Sequence, residues 1–122
     1  MTIALWCVAI AAIFPVICAG IAKAGFRDYD NCNPRDWLSK QQGWRARANS
    51  AQQNSWEAFA VFAAGVFAAH LAHGPSARVD LLAEIFIGLR LLYVGLYLAN
   101  YAMLRSLAWT AGFAVSLGMF FT

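Results

Sequence analysis

The sequence predicts an all-α protein of the integral membrane class, a four-helix bundle, and three observations carry that prediction. Of 122 residues, 61% are hydrophobic and only 12% charged, with a mean hydropathy of +0.56, too apolar a balance for a soluble domain of this size. Four apolar stretches, 3–22, 55–73, 79–103 and 106–121, occupy nearly the whole chain, and most approach the roughly 20 residues needed to cross bilayer hydrocarbon. Backbone polar groups find no water there, so each stretch must close its hydrogen bonds as a helix, and four such helices pack as a bundle. No repeat or low-complexity run divides the chain, which reads as a single domain over 1–122 with spans at 3–22, 44–73, 79–103 and 106–121.

The first stretch follows Met1 and Thr2 without a basic flank and is longer than a signal-peptide core, so it is expected to be retained. Pro15 inside it removes one backbone hydrogen bond and favours a kink, which membrane helices tolerate. The segment from Gly25 to Trp44 is the only long connection, and its run of Asp, Asn and Pro is turn chemistry. Asn33 is placed to cap a short helix with Pro34 at its first position, and Trp37 and Trp44 suit a headgroup layer. From Trp44 to Asn54 the residues are polar but helix-compatible, with no Pro or Gly, so the second spanning helix extends back to Trp44 and projects from the membrane. Gly74-Pro75-Ser76 ends it. A tight connection is expected between the third and fourth spans near Met103 to Ser106. Small residues, among them Gly65, Gly88 and Gly95, allow close helix approach within or between subunits.

The net charge of +3 is unevenly distributed: Lys23, Arg27, Arg35, Lys40, Arg45 and Arg47 all lie between the first two apolar stretches. Positive-inside logic makes that loop cytoplasmic and puts both termini on the other side. Asp28, Asp30 and Asp36 interrupt the basic cluster and spans flank it, so anionic membrane lipids, and no nucleic acid, are its expected partners. Cys7, Cys18 and Cys32 form neither a disulfide framework nor a metal-ligand pattern. His70 and His73 lack a third ligand and read as interfacial. Asp80 reads as a first-turn residue complementing the helix dipole, and Glu84 as a partner for Arg78 or for a neighbouring protomer.

Two polar stripes stand out. Arg47, Asn54 and Glu57 are separated by steps of seven and three, which at about 100° per residue places them within roughly 80° of arc on one helical face. Arg90, Tyr93 and Tyr97 share a face of the third span, Asn100 lies near the same side, and Arg105 follows at the next connection. Together they describe an anion site at the membrane boundary, where arginines pair carboxylates and Glu57 receives an amine, so the implied ligand is small, zwitterionic and net negative. The same residues also allow a purely structural reading, with Glu57 and Arg90 as an internal ion pair and the tyrosines as anchors.

Ala51-Gln52-x-Asn54-x-x-Glu57 with Arg90-x-x-Tyr93-x-x-x-Tyr97 resembles the MAPEG family, membrane-associated proteins of eicosanoid and glutathione metabolism, over essentially the whole chain. The resemblance implies a homotrimer of four-helix protomers that binds glutathione as co-substrate between neighbours near the cytoplasmic face. It places Arg47, Gln52, Asn54 and Glu57 of one protomer opposite Arg90, Tyr93 and Tyr97 of the next. Arg105 is then the candidate catalytic residue, stabilising the glutathione thiolate, with Ser106 beside it as in the prostaglandin-synthase branch. A lipophilic electrophile or hydroperoxide would arrive from the bilayer, giving a transferase or peroxidase; the alternative is a non-catalytic scaffold or accessory subunit that keeps the fold. Bacterial-type members, expected in an inner membrane, are the most similar branch. Three positions depart from the family pattern: Ser50 where an arginine is common, Ala58 where an aromatic is common, and Trp109 where one branch tends to have tyrosine.

Overall fold

The computed structural model describes all 122 residues, Met1 to Thr122. Five α-helices follow one another: α1 (Ile3–Lys23), a short α2 (Pro34–Ser39), α3 (Trp44–His73), α4 (Ala77–Leu98) and α5 (Ala102–Gly118), and a 3₁₀ turn, Met119–Phe121, completes the chain. α1, α3, α4 and α5 with its final turn are each long and apolar enough to cross a membrane. The connection from α3 to α4 shares one end of the bundle with both termini, and the α1–α3 loop shares the opposite, loop end with the α4–α5 turn.

Small residues let α1 lie close to its neighbours. Ala4, Cys7 and Ala11 repeat at helical spacing and are buried with Phe62, Val66, Val79, Phe86 and Met119 in the main core. At its centre the Phe62 and Phe86 rings stack with centroids 4.0 Å apart, joining α3 to α4. Gly65 marks the closest approach of α3 to the end of α5: a Cβ there would stand 2.8 Å from the Ser116 carbonyl oxygen. Gly88 and Gly95 meet nothing within 4 Å and leave their face of α4 open. The helix of α1 runs through buried Pro15 without interruption.

At 30 residues, α3 is about 45 Å long at 1.5 Å per residue. It therefore outruns a hydrocarbon layer of about 30 Å, and its polar first turns organise the loop end. Arg45 donates to the carbonyl oxygens of Ala22 (2.9 Å) and Ala24 (2.7 Å), the last acceptors of α1, where a cation also complements the helix dipole. Its guanidinium stacks over Phe26 and Trp44. Arg47 does the same for α4, its Nε donating to the Leu98 carbonyl oxygen at 3.3 Å. Trp37, expected in a headgroup layer, is instead buried with Ala22, Leu38 and Ala48 and packs edge-on against Phe26 and Tyr29. The loop folds back on α3, so its aromatic residues make a small second core. Asn33 begins α2, with Pro34 in the first turn, but its side chain makes no capping bond.

α4 ends at Leu98, before the expected limit of Met103, and the cause is local. Asn100 takes the left-handed conformation at φ 67°, its N–H donates to the Tyr97 carbonyl (3.1 Å), and the Tyr101 N–H donates to that of Leu96 (2.9 Å). This is the paired-bond Schellman termination, for which asparagine substitutes for glycine. Asn100 is thus spent on the turn, exposed, and is not part of the polar stripe before it. α5 starts at Ala102, so Arg105 sits in its first turn, with its N–H on the Tyr101 carbonyl.

The terminal end is closed by a polar network. Thr2 caps α1 by accepting from the Leu5 N–H, and its hydroxyl lies 2.9 Å from His70 Nε2. His70 Nδ1 is 2.9 Å from the Val66 carbonyl oxygen, an acceptor only, so Nδ1 carries the proton and Nε2 accepts from Thr2. Asp80 reaches across from α4 to accept from the Ala4 N–H at 2.8 Å, supplying a second cap to α1. Glu84 is exposed and pairs with nothing in the chain, whose one ion pair joins Lys40 to Asp36.

Candidate functional site

A cleft of about 620 Å³ opens at the loop end between α3, α4 and α5, within the roughly 300–1,000 Å³ usual for small-molecule sites. α3 lines it with Ser50, Gln53, Asn54 and Glu57, spaced so that one helical face is presented. α4 contributes Tyr93 and Tyr97, four residues apart, and the first turns of α5 contribute Arg105, Ser106, Trp109 and Thr110.

The side chains on α4 and α5 form a ladder. The Arg90 guanidinium carbon lies 4.1 Å from the centre of the Tyr93 ring, Tyr93 meets Tyr97 edge-on at 5.7 Å, and Arg105 lies over Tyr97 at 4.3 Å. Each cation faces the negative face of a ring, an attraction of about 0.5–2 kcal/mol that rises as water is excluded. The ladder has two different ends. Arg90 is buried, only 3% exposed, and bridges α4 to α3: its Nη1 donates to Asn54 Oδ1 (2.9 Å) and its Nη2 to Ser55 Oγ (3.0 Å). It pairs with two neutral groups, so the possible Glu57–Arg90 ion pair does not form. Arg105 is half-buried and makes no ion pair, so its guanidinium is available to whatever enters the cleft. Glu57, exposed on the facing wall, is likewise without an ion pair. A carboxylate opposite a guanidinium, with phenols, amides and hydroxyls between, suits a molecule carrying both an ammonium and an anionic group.

The expected site residues therefore divide. The fold of a single chain brings Asn54, Glu57, Tyr93, Tyr97 and Arg105 to one cleft. Arg90 stands behind it, holding Asn54 and stacking on Tyr93. Arg47, despite sharing a helical face with Asn54, is engaged at the end of α4. Gln52 is two residues from Asn54, hence about 200° around the helix and on the opposite face; its Oε1 is buried without a hydrogen-bond partner. Compared with protein families, the chain matches the MAPEG family over residues 3–122. The chain belongs to the MAPEG family. No curated protein and no solved structure gave a match.

In this MAPEG chain the cleft also contains residues that the polar stripes did not single out. Gln53 and Thr110 are on its walls, and nothing in sequence distinguishes them from ordinary polar residues near a helix end. Ser50 lines the cleft, so where an arginine is common in the family this wall carries a neutral hydroxyl. Trp109 stacks on Phe113 at 5.3 Å and forms the lower rim.

Proposed function

We propose that this protein is a membrane-bound glutathione-dependent transferase or peroxidase acting on a lipophilic electrophile or hydroperoxide. One observation carries the reading: Arg105, in no ion pair and seated over Tyr97, shares a cleft with Asn54, Glu57, Tyr93 and Tyr97. A glutathione carboxylate and thiolate are the anions such a guanidinium would hold, and Glu57 is the acceptor for the ammonium. A free thiol with a pKa of about 8.5 is mostly protonated at neutral pH, and an adjacent guanidinium favours the thiolate. The thiolate sulfur then forms a bond to the electrophilic carbon as the leaving group departs with its electron pair. With a hydroperoxide, two thiols become a disulfide while the peroxide yields an alcohol and water.

The reading includes a homotrimer, lying in a bacterial inner membrane with both termini outside the cytoplasm, so that the cleft opens to cytoplasmic glutathione. Gln52 and Asn54 face opposite ways on α3, and a neighbouring protomer closes the open side of the cleft. Calorimetry of the purified protein with millimolar glutathione tests this, with saturable binding expected in the wild type and none in Arg105→Ala. A wild-type protein that binds no glutathione under those conditions ends the proposal.

A second reading, a scaffold or accessory subunit, is favoured by Ser50 in the cleft wall and by the structural engagement of Arg47 and Arg90. It requires co-purification with a fixed partner and no turnover of any thiol acceptor.

A further inference from the structure

Beneath the polar cleft, between the same three helices, lies a second compartment of about 230 Å³ whose walls are Ala58, Val61, Phe86, Gly112 and Phe113. Glu57 and Trp109 border both spaces, so the two are adjacent along the α3–α5 groove. Apart from Glu57 at the border with the cleft, the lower space is apolar except where Arg90 and Ser116 reach its wall, and both of these are already hydrogen-bonded, Ser116 to the Gly112 carbonyl.

The compartment exists because two positions are small and one wall cannot move. Ala58 offers a methyl group where an aromatic would fill the space, and Gly112 offers none. Phe86 is 1% exposed and fixed face to face on Phe62 (interplanar angle 4°), so it cannot swing in to close the gap. Trp109 and Phe113, stacked nearly parallel at 5° and about 40% exposed, form the outer wall. A closed apolar cavity of about 150 Å³ accommodates benzene; the larger volume here and its three aromatic walls suit a flat body of about two rings, for which aromatic contacts add to burial.

We propose that this lower compartment binds the aryl body of the second substrate, making the acceptor an aromatic electrophile of about two fused rings, with Ala58 and Gly112 setting the size limit. The inference rests on the transferase reading for the ligand's role as acceptor and for its orientation, while the binding of an aryl body stands on the compartment itself. Gly112 is seven residues from Arg105, about 10 Å along α5, a span that the ring and its reactive substituent bridge. The reactive carbon then emerges past Glu57 and Trp109, below the position of the thiolate.

The test is photolabelling of the whole protein in lipid nanodiscs, without glutathione, by a naphthyl diazirine, with the site mapped by mass spectrometry. Saturable labelling of the segments 58–61 and 109–113, competed by unlabelled 2-methylnaphthalene, is expected. Ala58→Phe removes saturable labelling. A Cβ at Gly112 would meet only Phe86 atoms at 3.9 Å, an ordinary contact, so Gly112→Ala folds, retains labelling by a phenyl diazirine and weakens labelling by the naphthyl probe. Labelling that does not saturate, that is unchanged in both variants, or that appears in detergent but is blocked by lipid overturns the proposal, the last by showing an acyl chain as the occupant. Glutathione calorimetry on the same preparations separates the two ideas. Labelling without glutathione binding leaves the compartment and removes the transferase; glutathione binding without labelling does the reverse.

Discussion

The two ends of the bundle use polar side chains in opposite ways. At the terminal end Thr2, His70 and Asp80 reach across three helices and are consumed by one another and by backbone groups of α1 and α3. At the loop end Glu57 and Arg105 face a cleft and are in no ion pair. Polar groups in an apolar bundle are costly unless partnered, so the first arrangement is complete as it stands, while the second leaves a carboxylate and a guanidinium open to the cleft. Arg90 lies between the two cases: it borders the cleft, yet its hydrogen bonds are spent on Asn54 and Ser55.

That contrast separates stability from binding, and four substitutions test it. The largest loss of stability is expected for Arg90→Met, which removes two hydrogen bonds to a charged group, each worth about 1.5–3 kcal/mol, and leaves the buried Ser55 hydroxyl without its donor. Thermal unfolding in detergent should show a total loss of about 3–5 kcal/mol, and a change below about 1 kcal/mol would reassign Arg90 to the ligand. Gly65→Ala follows, since its Cβ would stand 2.8 Å from a backbone oxygen; overpacking of this kind costs about 1–3 kcal/mol. Asp80→Ala should lower stability by about 1 kcal/mol through the lost cap on α1, with glutathione binding unchanged, and a binding defect there would undo the division between the two ends. Smallest in stability is Arg105→Ala, which gives up a cation–π contact of at most about 1 kcal/mol at a part-exposed site, yet it should abolish glutathione binding. Stability lost without any change in ligand binding would move Arg105 into the structural group.

The fold was legible because hydropathy is a property of each helix taken alone. Four apolar stretches of spanning length dictate four helices, and the absence of Pro and Gly from Trp44 to Asn54 joins that polar segment to the apolar stretch after it as one long α3. Periodicity also put Arg90, Tyr93 and Tyr97 on one side of α4, where they stack. Less legible was the end of α4, because Asn100 lies in an apolar, helix-like context and only its left-handed backbone reveals the turn.

The site was legible only in part, for a reason of geometry. Spacing along a helix gives the direction of a side chain but not the partner it meets, and an arginine's reach spans the choice between a cleft and a neighbouring helix end. Arg47 and Asn54 share a face, yet the carbonyl of Leu98 comes close to one and the cleft to the other. By itself the sequence determined the membrane class, the helices and the residue types available for an anion site, since these depend on local composition and period. Only the tertiary structure decided that Arg45 and Arg47 cap helices, that Arg90 is held inside, and that Arg105 remains open above an apolar compartment left by Ala58 and Gly112. Those outcomes depend on which helix ends and ring faces the packing brings within a few ångströms.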